Sequence, residues 1–540
     1  MTQVGVNIVV YGGDIQAVAA ACKAAQNAPD AKVAIIIPDL SGLIGGIATA
    51  GGQNYWDTQL LCQGGTFAEL YAKYPRGYNV TAFSTALRNM LKEYGSRMLI
   101  YEGYDISAYT TVNSPYRITS LNIKNLVRRS DKRIGWGSTE YKLTGSKFYV
   151  IDASTEGRIA RVINSACTTG RFDWPTAYLD TSEHSNRQAR QQAATLMFKM
   201  TGITTPSTVP AEGSGIKVGD MTFSGGGNKP WAVWGGTNEY KTGRILEFNN
   251  AHASEGYIIK PVNAAQNGAG SSEWWINAFL VFHVDGRANY RDVGTTFYPQ
   301  MLTGYRNVDD AWVAARQFLK DNQSEFLRAI RTYPGFENAS FVMDGTYPEV
   351  TDTLYIRETV HMAIDSNDIG HATENSNYEL TAKEAANAGS SSSNGTDSSN
   401  FSHRIGLAHY NPDIHPYVPD DLKKNGAWVW GYEGFRNLRP DMNPADGTPN
   451  YPVYLPYEAL LTRYVANLMI CGYAAGISSY AWGEARVLPN LCVMGDAAGV
   501  ATAYCHNRSI YPLTIRNDQT AIRNIQNVLK ASPVNAKLNK

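Results

Sequence analysis

Apolar and polar positions fall into three regimes along the chain. In the first, Val6 to Tyr11 reads as an apolar run of the kind carried by a strand buried on both faces. Gly12-Gly13 supplies a tight turn, and Ile15 to Gln26 has the length and composition of a helix. That helix is rich in small residues, Ala17, Ala20, Ala21, Ala24 and Ala25, which let it lie close to a sheet. Val33 to Ile37 is a second buried strand, stopped by Pro38. This strand–helix–strand start sets the class as α/β.

The second regime is weaker. Residues 95 to 150 alternate short strands with turns, at Met98 to Tyr101, Tyr116 to Asn122 and Lys147 to Ile151. From about 170 to 455 the periodicity is broken by Gly, Pro, Asn and aromatic residues, apart from one or two helices over Asp309 to Thr332. Ala388 to Ser402 is a Ser/Asn/Gly stretch that reads as an exposed loop. In the third regime apolar character returns from Tyr454 to Ala503, and a last helix is expected after Asn517. One nucleotide-binding fold interrupted by a large insertion accounts for this layout. Its first part would be residues 1–165, the insertion 166–455, and its second part 456–540.

Charge narrows the partners. Lys plus Arg number 48 and Asp plus Glu number 48, so there is no long-range field to draw in nucleic acid or an anionic membrane surface. No apolar run reaches the roughly 18 residues of a membrane helix. No secretory leader is visible, which favours a cytoplasmic chain over the alternative of a mature secreted form with its leader removed. The six cysteines form no C-x-x-C pair and no H-E-x-x-H occurs, so neither a zinc site nor a dithiol motif is written here.

The strand–turn–helix context gives meaning to the glycines of VVYGGDIQAVAAA. At such a turn, backbone N–H groups at a helix N-terminus face a pyrophosphate, and glycine lets the backbone come close. The three fingerprint positions hold Gly12, Asp14 and Ala17. Further motifs follow in order: GGIATAGG from Gly45, STEGRIARV from Ser154, ATLMF from Ala194, RIGLAHYNPDIHPY from Arg404, and GDAAG from Gly495. Together they resemble a bacterial family of FAD-dependent oxidoreductases. The resemblance implies a Rossmann-like FAD-binding domain of the glutathione-reductase type, with a large inserted, β-rich α+β substrate domain. It implies FAD as cofactor and places Gly12, Gly13 and Asp14 beside its pyrophosphate. Gly45 and Gly46 would pass the flavin side, and Ala153 and Ser154 would close over the dinucleotide. Gly495 and Asp496 would begin the last FAD-contacting helix, with Asp496 as its cap.

Three positions depart from the family pattern. Asp14 stands where a small residue is usual, Ile37 where a ribose-binding carboxylate is expected, and Tyr473 where an arginine is expected. Two unit charges about 4 Å apart repel by roughly 1 kcal/mol in water and roughly 4 at an effective dielectric of 20, so an ionised Asp14 would weaken phosphate binding. Alternatively Asp14 is a helix N-cap. Asp39 is placed to take over the ribose contact.

Tyr410, Asp413 and His415 form a compact polar set in which a histidine can act as acid or base, oriented by a carboxylate. Its plain alternative is a hydrogen-bonded loop. Arg486 is a candidate for holding substrate or flavin charge, and Arg357 a weaker one; both read equally as structural ion pairs. Gln53, Asn54, Trp56 and Asp57 should lie near the flavin edge, with Trp56 read as core. Trp231, Trp234, Trp274, Trp275, Trp428 and Trp430 crowd the insertion and read first as core, second as ligand platforms. Ser224 to Gly227 reads as a loop lacking the lysine of a phosphate loop. Two classes of function stay open on these residues. One is an FAD-dependent oxidoreductase that accepts a hydride from a small molecule, sugar-like or aromatic. The other is a structural, self-assembling or homo-oligomeric protein on a degenerate flavoprotein fold.

Overall fold

The computed structural model describes residues 1–58, 60–163, 167–170, 189–211, 213–362, 380, 402–411, 413–430, 451–462 and 464–539. The expected boundary at 165/166 and residues 388–401 of the expected loop lie outside them.

A five-stranded parallel sheet forms the centre. Its order is Leu468–Ile470, Tyr149–Asp152, Ile8–Tyr11, Val33–Ile37, Met98–Glu102. Every neighbouring pair is parallel. The three inner strands are buried along their whole length, which is why they read as unbroken apolar runs rather than alternating ones. The edge strand Leu468–Ile470 comes from the far end of the chain, so both ends build one sheet.

The first helix, Ile15–Asn27, follows the first central strand directly, and its alanines serve a particular contact. A late helix, Leu488–Arg508, lies against it. A Cβ on Gly495 would stand 2.5 Å from the Gln16 carbonyl oxygen, and one on Gly499 would stand 2.4 Å from that of Ala20. Glycine inside a helix costs about 1 kcal/mol relative to alanine, yet here no other residue fits. The sequence reading placed Gly495-Asp496 at the start of this helix, and that is corrected. The helix begins at Leu488 with Pro489 in its first turn, so Asp496 sits about two turns inside it.

Residues 95–150 hold the three expected strands, in Met98–Glu102, Arg117–Arg128 and Tyr149–Asp152, and two that were not expected, Tyr104–Val112 and Ile134–Thr144. Thr2–Gly5, Tyr104–Val112, Arg117–Arg128 and Ile134–Thr144 form a four-stranded sheet. Tyr104–Val112 and Ile134–Thr144 are partly exposed, and no apolar run announced those two.

An eight-stranded sheet built from residues between Ala194 and Phe341 makes the β-rich part of the fold. Its centre is the antiparallel pair Tyr257–Gln266 and Trp274–Val281. Val308–Asp321 and Gln323–Ile330 are two separate helices, which Asn322 divides. Ser224 to Gly227 belongs to a hairpin between Met221–Gly226 and Lys229–Gly235. The strand Val453–Pro456 spans the expected boundary at 455/456 and pairs with Arg404–Ala408. The cysteines are free. Among the described residues no helix is long and apolar enough to cross a membrane, and no group of His, Cys, Asp or Glu is arranged to hold a metal ion.

Candidate active site

A cleft of about 160 Å³ opens where the parallel strands end at their carboxyl edges, the usual ligand position in open α/β sheets. It is lined by Gly12, Gly13 and Asp14 after the first central strand and by Asp39 after the second. Ala153 and Ser154 line it after the third, and Gly46 reaches it from the following loop. The approach is close. Gly12 has φ +137°, and a Cβ there would lie 2.6 Å from the Ala153 carbonyl oxygen. A Cβ on Gly13 would lie 2.8 Å from Ile37 Cγ2. Gly45 is one step back: its N–H donates to the Gly13 carbonyl at 2.9 Å, tying the second glycine loop to the first.

Asp14 occupies the N-cap position of the first helix, but its side chain caps nothing there. Its Oδ1 accepts from the Ile47 N–H at 3.2 Å, and Oδ2 has no partner among the described residues. The capping alternative is therefore corrected: the carboxyl anchors the glycine loop. Burial pushes its pKa up to about 7, held back by the Ile47 hydrogen bond. Asp39 Oδ1 accepts from the Ser41 N–H at 2.5 Å, and burial raises its pKa too. Arg128, Lys132 and Arg291 also border the cleft, although Arg291 is committed to Asp105. Asp496 does not reach the cleft. It accepts from the Thr66 N–H at 2.8 Å and the Thr66 hydroxyl at 2.5 Å, filling an open donor at the start of the helix Gly65–Lys73. It is a cap, but of a different helix from the one expected. Burial lifts its pKa to about 6.

Beside the cleft lies a buried cluster of charges assembled from distant segments. Arg486 donates to the Asp413 carboxylate at 2.6 Å, to the Asp413 carbonyl at 3.0 and 3.1 Å, and to the Tyr355 hydroxyl at 2.9 Å. Burial opposes its charge, but Tyr355, Asp413 and Tyr410 outweigh that and hold the guanidinium protonated. Arg357 donates to the Ala193 carbonyl and the Thr195 hydroxyl, both at 2.8 Å, and lies 4.4 Å over the Tyr355 ring. Burial lowers its pKa to about 10. Lys260 is buried with its Nζ donating to the Pro261 carbonyl at 3.1 Å. Burial, helped by Arg357, brings it down to about 7.

His415 completes this cluster. Its Nε2 lies 3.7 Å from Asp413 Oδ1, and its ring centroid lies 5.8 Å from that of Trp430. Nδ1 has no partner among the described residues. Burial first, then Arg357, Arg486 and Lys260, push its pKa well below the ordinary histidine range, so it is a neutral base near pH 7. Tyr410 is pushed up by burial and by Asp57 and Asp413.

The cluster connects two spaces. Tyr473, where an arginine was expected, borders the cleft and interacts electrostatically with Tyr355, Asp14, Arg486 and Arg357. Asp57 and Tyr410 line a second, larger cavity of about 610 Å³. Burial lifts the Asp57 pKa to about 6, opposed by Arg486.

Thus the structure brings Gly12, Gly13, Asp14, Asp39, Gly46, Ala153 and Ser154 to one cleft, and Tyr410, His415 and Arg486 to one cluster. It sets Gly495 and Asp496 apart from both. His415 and Arg486 line neither cavity directly. Trp56 is core, as read: it is fully buried among Phe67, Tyr78 and Phe83, and its indole N–H donates to the Tyr74 carbonyl at 2.7 Å. Trp274 is buried, while Trp234 and Trp275 line the larger cavity. Sequence reasoning missed Lys260, Tyr355 and the bridging role of Tyr473. A lysine inside the apolar run YIIKPV was the one available signal.

The position and backbone of the cleft suit the pyrophosphate of a dinucleotide. Gly12 and Gly13 bring the end of the first strand against Ala153 and Ile37 with no side chain in between, and burial raises the Asp14 pKa to about 7, which lessens its charge toward a phosphate. Lys132 and Arg128 border the same cleft, Arg128 with its guanidinium 3.4 Å from the Asp352 carboxylate. A family model described as FAD dependent oxidoreductase matches residues 7–529. No curated protein matches the chain. Among solved structures it is similar to the myxobacterial chondrochloren halogenase CndH, an FAD-dependent halogenase, at 10% identity and TM-score 0.32, covering 66% of this chain and 64% of that one. It is also similar to a mutant form of E. coli quinol fumarate reductase FrdA, at 11% identity and TM-score 0.30, covering 98% of this chain and 75% of that one. The chain thus spans less than two thirds of the halogenase's length.

Proposed function

The chain belongs to the FAD dependent oxidoreductase family and its cofactor is FAD, and from that premise we propose that it accepts a hydride from a small molecule seated between the cleft and the larger cavity. The observation that carries this reading is the cluster in which the buried His415 and Arg486 meet the partly exposed Asp57, Tyr410 and Asp413 between those two spaces. When bound, FAD supplies the two-electron acceptor. Gly12, Gly13, Ala153 and Ser154 would hold its dinucleotide through backbone approach, and Asp39 its ribose hydroxyls. Lys132 and Arg128 would offset the phosphate charge.

The chain's own chemistry is then proton management. Tyr410, which lines the larger cavity, faces the substrate hydroxyl, and the Nδ1 of His415, unpartnered among the described residues and neutral because cations and burial surround it, is the proton acceptor of the cluster. Arg486 fixes Asp413, and Asp413 orients the His415 ring. Tyr410, held protonated, donates a hydrogen bond to the substrate oxygen. General acid–base help of this kind is worth roughly 10²–10⁴-fold. The test is the spectrum of the purified protein and its response to substrate. Bound oxidised flavin that bleaches anaerobically on adding an alcohol-bearing substrate supports the reading. A colourless protein that stays empty when mixed with FAD, and self-associates, would favour the self-assembling alternative instead.

A further inference from the structure

The larger cavity has a wall that flavin chemistry does not explain. Across three adjacent strands, Trp234 pairs with Asn263 and Asn263 with Asn277. One step along the same face, Ala232 pairs with Ala265 and Ala265 with Trp275. Cross-strand partners share a face, and so do residues two apart on one strand. The sheet therefore presents two rows: an indole and two carboxamides, then two methyl groups and an indole. All six residues line the cavity, whose volume is about 610 Å³ against the roughly 300–1,000 Å³ of small-molecule sites.

Two buried atoms in these rows have no partner among the described residues: the acceptor Asn277 Oδ1 and the donor Trp275 Nε1. Asn277 is 5% exposed and Trp275 6%, so water does not freely serve them. A flat aromatic ligand would leave both unpaired, which is unfavourable. A polyanion would meet a single guanidinium, Arg76, already donating to Thr58 and countered by Asp57. A hydroxyl group both donates and accepts, and the C–H face of a sugar ring lies flat on an indole. Trp234 is 38% exposed at the end of its row and so is open to such stacking.

Resting on the reading that the substrate lies between the cleft and this cavity, we propose that the cavity is a carbohydrate site, built for a neutral sugar stacked on Trp234 and hydrogen-bonded by the Asn263–Asn277 pair. The test is titration of the FAD-loaded protein with cellobiose, maltose, lactose, glucuronic acid and 4-nitrophenol, followed by tryptophan fluorescence and calorimetry. Saturable binding of at least one neutral disaccharide is expected, weakened about tenfold by Trp234→Ala and roughly three- to tenfold by Asn277→Ala, with flavin content unchanged. Trp234→Ala removes an exposed side chain, so the fold survives it. No saturable disaccharide binding, tighter binding of 4-nitrophenol or glucuronic acid, or a Trp234→Ala variant that binds sugar as well as the parent, would overturn the proposal while leaving the flavoprotein reading intact. Sugar binding that never bleaches the flavin would support the carbohydrate site and overturn the redox reading.

Discussion

The cleft and the charged cluster beside it are built in opposite ways. The cleft is made by backbone: Gly12, Gly13, Ala153 and Ser154 contribute position more than side chains, and the spacing between strand ends is set by a sheet whose inner strands are fully buried. The cluster is made by side chains from five separate stretches, around Asp57, Lys260, Tyr355–Arg357, Tyr410–His415 and Arg486. Its geometry exists only once those stretches have packed. The first should be intolerant of any added atom and indifferent to charge at most positions. The second should tolerate shape changes better than changes in charge.

The sharpest way to break this comparison is Gly12→Ala. A Cβ 2.6 Å from the Ala153 oxygen, at φ +137°, must push the strand ends apart, and the backbone strain alone is of order 1–3 kcal/mol. FAD affinity, measured by flavin fluorescence, should fall by about 100-fold or more. Retention of parental affinity would show that the cleft is not a backbone device. Next, His415→Ala should lower turnover by roughly 10²-fold while the flavin content read from the visible spectrum stays constant. Loss of flavin along with turnover would merge the two regions into one.

Asp14 lies in the cleft but acts through charge, so it tests the comparison from the other side. Its pKa of about 7 means that the proton is held below that pH and lost above it. The carboxylate formed then opposes the pyrophosphate, so FAD dissociation constants should rise by roughly tenfold from about pH 6 to about pH 8. Asp14→Asn should flatten that profile; an unchanged profile would assign the pH dependence elsewhere. A last effect, on stability and not on cofactor or turnover, is expected at Lys260. Its folded pKa of about 7 lies below the ordinary value of about 10.4, so between the two the unfolded chain binds the extra proton. Its contribution to stability is present above the ordinary pKa and lost as pH falls toward 7, with a slope of at most about 1.4 kcal/mol per pH unit. Lys260→Met should reduce the rise in melting temperature between about pH 7 and pH 9 measured by calorimetry.

This contrast also decides what could be read from the chain. The central βαβ was legible nearly to the residue, because burial on both faces writes an unbroken apolar run and the glycine turn follows it directly. Asp39 was legible because it stands two residues past a strand end. Asp496 was misread because a Gly-Asp pair looks the same at a helix start and in a helix middle; only the close approach of Gly495 to Gln16 distinguishes them. In the four-stranded sheet only Arg117–Arg128 was legible, from its Tyr116 to Asn122 stretch; Tyr104–Val112 and Ile134–Thr144 were hidden because half-exposed strands lack apolar runs. In the cluster, AHYNPDIHPY was legible as a local polar set. Lys260 and Tyr355 were not, because their role depends on neighbours roughly 100 or more residues away in sequence.

The seam between the first helix and the late helix has a consequence for how the protein is made. Gln16 and Ala20 meet Gly495 and Gly499, partners separated by nearly the whole chain. At roughly 5–20 residues per second, a ribosome needs on the order of 25–100 s to deliver the second partner after the first has emerged. For that interval the alanine face of the first helix has nothing to dock against, and the edge strand Leu468–Ile470 has not yet been synthesised. The nascent chain must therefore wait with an open sheet, and chaperone occupancy on the ribosome is where that delay would be felt.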